Sequence, residues 1–179
     1  MGSCIAGPEE DSRCLLVLAA CHQSEGRWAE SIPALERAAL RDAHNADTSF
    51  LFAMALIQTN DLDLAVTWFK RTIQLESNHR EARIALGMTY YQLGQFEESV
   101  ETLSVYEVSS MTLEPLIALS DAALHLSQQS VSIEQALLRA QVLAPDDPRV
   151  YRLLSKWSMK RGNVEDAVKY MNQARGISP

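Results

Sequence analysis

Residues able to do covalent or metal chemistry are few in this chain and poorly spaced for it. The four histidines, His22, His44, His79 and His125, have no second histidine or cysteine three or four residues away. A zinc-type ligand set built on one helix needs that spacing. No P-loop, GxGxxG, HExxH or GxSxG motif occurs. Cys4, Cys14 and Cys21 form no CxxC pair and leave one thiol over, which argues against a disulfide framework and favours a reducing, cytoplasmic compartment. Cys14 and Cys21 stand seven residues apart on one helix pattern and are expected to be small buried hydrophobes. The acidic pairs Glu97-Glu98 and Asp146-Asp147 fall at helix starts, where the macrodipole favours negative charge. The expectation is a protein that is not an enzyme, with no metal and no cofactor.

Binding chemistry is better represented. Arg149, Arg152, Lys156 and Lys160 follow at intervals of three, four and four, which places four cations on one stripe of a helix. Residues 148–179 carry seven Lys/Arg against two Asp/Glu, a net +5, so the preceding 147 residues carry −12 of the chain's overall −7. Charge asymmetry of this kind marks one end for binding an acidic partner. The net negative charge of the rest of the chain argues against nucleic acid.

The elements that must carry these residues are helical. The 179 residues are 47% hydrophobic and 22% charged, enough apolar material for a packed core, and seven Gly and six Pro are few for an all-β chain. No apolar run approaches the roughly 18–20 residues of a membrane span. At the N-terminus, Gly2 and Cys4 could invite lipidation. Residue 6 is Ala where a myristoylation motif has Ser or Thr, so membrane anchoring there is disfavoured and Met1-Gly2-Ser3 reads as a remnant in front of a domain boundary.

Self-similarity then organises the chain. Ile84 to Phe96 contains Leu86-Gly87, Tyr90 three residues after the Gly and Gly94 four residues later; Ile133, Leu137, Ala140 and Pro145 supply a complementary second half. Stepping by 34 aligns Leu18, Phe52, Leu86, Ser120 and Leu154; Ala19, Ala53, Gly87, Asp121 and Ser155; and the turn residues Gly26, Asn60, Gly94, Gln128 and Gly162. In the second half it aligns Leu35, Phe69, Leu103, Leu137 and Met171, then Ala38, Thr72, Tyr106, Ala140 and Ala174. Five units fit without insertion, 12–45, 46–79, 80–113, 114–147 and 148–179, after a tail at 1–11. On these motifs the chain resembles the tetratricopeptide (TPR) superfamily over residues 12–179. Two departures stand out: Ser120-Asp121 replaces Leu-Gly in the fourth unit, and Tyr106 is large for a small-residue slot.

The resemblance implies an all-α fold, a right-handed superhelix of stacked antiparallel helix pairs. Helices are expected near 12–24, 28–41, 46–58, 62–75, 80–92, 96–108, 114–127, 131–143, 148–160 and 164–176. It also implies that the first helix of each unit lines a concave surface. The residues so placed include Leu16, Phe50, Met54, Ile57, Ile84, Met88 and Tyr91, an apolar and Met-containing stretch suited to a partner peptide or helix, followed by Arg149, Arg152, Lys156 and Lys160. The positions of the carboxylate clamp found in chaperone-binding members hold almost no cations, with Arg149 the exception, so that role is disfavoured. The implied function is a protein-interaction module. The alternatives are a self-associating scaffold subunit, a homo-oligomer, or the recruiting arm of a longer enzyme. Trp157 motivates self-association: it occupies the position of Cys21, Ala55, Thr89 and Ala123, and would be left uncovered if that position faced a following unit; the alternative is local packing against Arg161 or the second helix of its own unit. With Pro179 closing the fifth unit and no cap helix after it, the chain reads as a fragment of a longer protein.

Overall fold

A computed structural model of the chain describes residues 11–126 and 131–176. Gly2, Cys4, Gln128 and Pro179 lie outside the described residues. Among the described residues there are ten α-helices and no strand: α1 (Ser12–Ser24), α2 (Trp28–Arg41), α3 (Ala46–Gln58), α4 (Leu62–Leu75), α5 (Arg80–Gln92), α6 (Phe96–Leu103), α7 (Leu113–His125), α8 (Val131–Leu143), α9 (Pro148–Lys160) and α10 (Val164–Ala174). Odd-numbered and even-numbered helices each begin 33 to 35 residues after the previous one of their set.

Local chemistry sets these boundaries. Asn45 accepts from the Thr48 amide at 3.0 Å, Asp147 from the Arg149 amide at 2.8 Å and Asn163 from the Asp166 amide at 3.2 Å, each satisfying an orphan donor at a helix start. His79 does the same for α5, its Nδ1 accepting from the Ala82 amide at 3.2 Å. In four of the five helix pairs the chain turns through a left-handed residue. Three of these are Gly, and the fourth is Asn60 at φ 62°, the non-glycine type best suited to that region.

One helix stops short. The pattern predicts a helix over 96–108, but α6 ends at Leu103, Ser104 caps it through a bond to the Val100 carbonyl, and a 3₁₀ turn follows at Val108–Ser110. Tyr106 stands where Ala38, Thr72, Ala140 and Ala174 allow close helix approach. Its ring is too large for that seam. The backbone leaves the helix before reaching it, and Tyr106 packs half-buried against the neighbouring apolar cluster.

The chain divides into two compact units, Met1–Thr89 and Tyr90–Pro179. In the first, α1 packs on α2, α2 on α3 and α3 on α4. Leu15, Leu35, Phe52, Leu56 and Phe69 are almost wholly buried, small residues such as Ala19, Ala38 and Ala53 stand between them, and Phe52 meets Trp68 edge-on at 4.8 Å. In the second, α7 packs on α6, α8 and α9, and α9 on α10. Leu103, Leu116, Ile133, Leu137, Val150 and Leu154 form its core.

One expectation about burial is corrected, and one open alternative is decided. Cys21 is exposed and Cys14 half-buried. The residues one repeat later, Ala55 and Thr48, are buried on α3, against which α2 packs; among the described residues no helix lies on α1 in that way. Trp157, conversely, is not left uncovered. It is only 7% exposed, belongs to the core of the second unit, and has the Arg161 guanidinium 5.7 Å from its ring centre. Aromatic bulk is covered here by packing within the second unit.

Candidate interaction face

The eleven residues singled out from the sequence divide between the units. Leu16, Phe50, Met54, Ile57, Ile84 and Met88 lie in the first, all half-buried; Tyr91 and the four cations lie in the second. Phe50 is engaged within its own unit, with its ring 5.9 Å from Phe69 and 4.8 Å from His79. The His79 side chain is 4.0 Å from Asp47 and 3.6 Å from Glu81 and is largely buried, so this histidine serves packing and capping.

In the second unit α7 and α9 run side by side and carry a polar network the sequence left unread. Its centre is Asp121, one of the two departures from the repeat pattern. The Tyr91 hydroxyl donates to it at 2.7 Å, the Lys156 ammonium at 3.0 Å, and the His125 ring stands 3.8 Å away. His125 also stacks on Phe96 at 4.4 Å. Burial alone would raise the Asp121 carboxyl; the bonds from Tyr91 and Lys156, with the charges of Lys156 and His125, outweigh it and hold the group below the usual carboxylate range. The same bond acts in reverse on its donor. Burial, then the Asp121 bond and charge, push the Tyr91 phenol up to about 12. Tyr91, expected to offer apolar contact, therefore spends its polar end on Asp121.

The four cations stay on one exposed stripe of α9, in differing states. Arg149 makes five side-chain hydrogen bonds to two carboxylates: a fork to Glu114 at 2.8 and 3.1 Å, and three bonds to Asp147 between 2.8 and 3.2 Å. The Asp147 carboxyl is held low, first by its bond from Arg149, and the Arg149 guanidinium is raised in turn. Arg152 donates Nε to the Pro148 carbonyl of its own helix at 3.3 Å. Lys156 reaches Asp121 and remains 54% exposed, and Lys160 donates to the Leu124 carbonyl at the end of α7. The stripe expected to meet a partner's acids thus already meets the chain's own at Arg149 and Lys156.

Two depressions flank the Asp121–Lys156 pair. One, of about 470 Å³, lies between α7, α9 and α10, with Leu124, Met159 and Met171 as apolar lining and Lys156, Lys160 and His125 among its polar residues. The other, of about 460 Å³, is lined by Tyr91, Ile117, Asp121, Arg149, Arg152, Leu153 and Lys156. Met159 is among the more exposed apolar side chains, and a flexible thioether suits contact with varied apolar groups.

Comparison with known proteins agrees with this architecture. The family model described as "Anaphase-promoting complex, cyclosome, subunit 3" matches residues 26–106. Solved structures of MamA superpose over nearly the whole chain. The RS-1 ArsTM double mutant gives a TM-score of 0.83 at 18% identity, covering 97% of this chain and 96% of that one. MamA 41-end from Desulfovibrio magneticus RS-1 gives 0.81 at 17% identity over 97% of each chain, and the MSR-1 MamA gives 0.80 at 21% over 93% and 95%. The chain has the tetratricopeptide-repeat fold. A DnaJ homolog subfamily C member 7 homolog of Dictyostelium discoideum is 23% identical over 155 residues, 77% of this TPR chain, which spans 29% of that relative's length. Among the described residues, no helix of the TPR chain is long and apolar enough to cross a membrane, and no group of three or more His, Cys, Asp or Glu is placed to hold a metal ion.

Proposed function

We propose that this TPR chain is a non-catalytic protein-interaction module whose second unit offers the α7–α9 face to a partner segment combining apolar and acidic side chains. One observation carries the reading: an exposed row of four cations on α9 borders a depression with an apolar lining of Leu124, Met159 and Met171. An apolar side chain entering the depression supplies area-dependent affinity, and the cations supply on-rate and register. In the first unit, Leu16, Phe50, Met54, Ile57, Ile84 and Met88 are assigned to further apolar contact. The test is selection from a random peptide-display library on the immobilised chain, with Arg152→Glu/Lys156→Glu/Lys160→Glu as the counter-target. Enrichment of acidic, Leu- or Phe-containing peptides that the triple variant does not retain supports the reading. Failure to enrich any peptide, or equal retention by the variant, overturns it.

A second reading, self-association, rests on α1. Its Val17 and Leu18 are 61% and 45% exposed beside Cys21, whereas Phe52, Leu86 and Leu154, which share the register of Leu18, are buried. A helix of a second copy lying on this stripe would restore the covering that α2 gives α3. Light scattering across a dilution series, with Leu18→Glu for comparison, decides it: a monomer at every concentration removes the reading.

A further inference from the structure

Given the interaction reading of the α7–α9 face, we propose that Asp121 is a built-in competitor for the partner's carboxylate and that Lys156 is the cation handed over. The four cations of α9 are not equivalent. Arg149 is bound by five hydrogen bonds to Glu114 and Asp147, and releasing it would strip two carboxylates of a forked partner at once. Lys156 has one carboxylate partner, at 3.0 Å, on a flexible four-carbon stem that is half in solvent.

The decisive feature is what Asp121 keeps when Lys156 leaves. Its side chain is only 15% exposed, so abandoning it without a partner would be costly. The Tyr91 hydroxyl still donates to it at 2.7 Å, and His125, 3.8 Å away on the next turn of α7, can add a charge. Lys156 therefore transfers to an incoming carboxylate without orphaning a half-buried acid. It lines both depressions, so a carboxylate that takes it can place a neighbouring apolar side chain beside Met159 and Met171. The fitting ligand is an internal acidic side chain next to a large apolar one, and Asp121 sets how tightly it is held.

The probe is a fluorescein-labelled octapeptide of alternating Glu and Leu, compared with its Gln/Leu counterpart by anisotropy at low ionic strength. The full chain prefers the Glu peptide. Asp121→Asn, which can still accept from Tyr91, tightens the Glu peptide about three- to fivefold, the scale of one exposed ion pair. Lys156→Gln removes the Glu-over-Gln preference, and adding Asp121→Asn to that background gains nothing. Asp121→Ser serves as the second neutral variant should the Asn variant melt early. The proposal is overturned if Asp121→Asn does not tighten binding or if Lys156→Gln keeps the preference. It is also overturned if the gain persists without Lys156, which would make it a general field effect, or if neither peptide binds. Should display selection yield ligands while these arms fail, the masking role falls and the interaction reading stands.

Discussion

Replacing Tyr91 with Phe isolates the bond that holds the polar centre of the second unit. The substitution keeps the ring and deletes only the hydroxyl that donates to Asp121 at 2.7 Å. A hydrogen bond to a charged group contributes about 1.5–3 kcal/mol. Asp121 keeps Lys156 and some access to water, so the lower part of that range applies, about 1.5–2 kcal/mol at pH 7. For a chain of this size that corresponds to a melting temperature lower by roughly 3–8 °C. The pH dependence carries a sign. The folded Asp121 carboxyl is lowered, so its contribution is present above the unfolded value of about 3.9 and is lost as pH falls through the folded one. Tyr91 is raised from 10.0 to about 12, so its contribution is complete below pH 10 and disappears as pH rises through 12. Wild type and Tyr91→Phe should therefore differ most between these limits and converge in strong acid. The assay is a double-mutant cycle of Tyr91→Phe with Asp121→Asn, followed by thermal and urea melts at pH 7 and pH 3. A Tyr91→Phe loss below about 0.5 kcal/mol at pH 7, or a coupling that persists at full size once Asp121 is protonated, refutes the reasoning.

Three other outcomes are expected. Ser120 is fully buried with its Oγ lacking a hydrogen-bond partner, so Ser120→Ala should raise stability by about 1 kcal/mol in urea melts; a loss would show that the hydroxyl is satisfied in solution. Asn60 at φ 62° should lose about 1 kcal/mol on change to Ala and lose nothing, or gain slightly, on change to Gly, and equal effects of the two substitutions would reject a left-handed turn there. Exposed Cys21 should react with a maleimide reagent well ahead of half-buried Cys14, as read by mass spectrometry of the native chain.

The repeat made most of the fold legible before any coordinates. Nine of the ten helices begin and end within two residues of where the 34-residue register puts them, because small residues, left-handed turns and helix caps act locally. The exception, α6, departs at Tyr106, a residue whose size already conflicted with its slot. The candidate interaction face was half legible. Spacing alone placed Arg149, Arg152, Lys156 and Lys160 on one stripe of α9, and the structure keeps them there. Their partners could not be read in the same way, since Glu114 lies 35 residues before Arg149 and Asp121 lies 35 before Lys156. The available signal was Asp121 itself, an acid in the slot that holds Ala, Gly or Ser in the other units.

What the sequence determined by itself is the helical periodicity, the pairing of helices and the residue types on each face, since each depends on neighbours within one repeat. Only the tertiary structure decided that Trp157 is covered, that Cys21 is not, and which cations of α9 are held by the chain's own carboxylates. Those outcomes depend on which side chains from different helices meet at 3 Å or 5 Å. A period of 34 brings such positions near one another but does not specify the rotamer, the burial or the hydrogen bond that results.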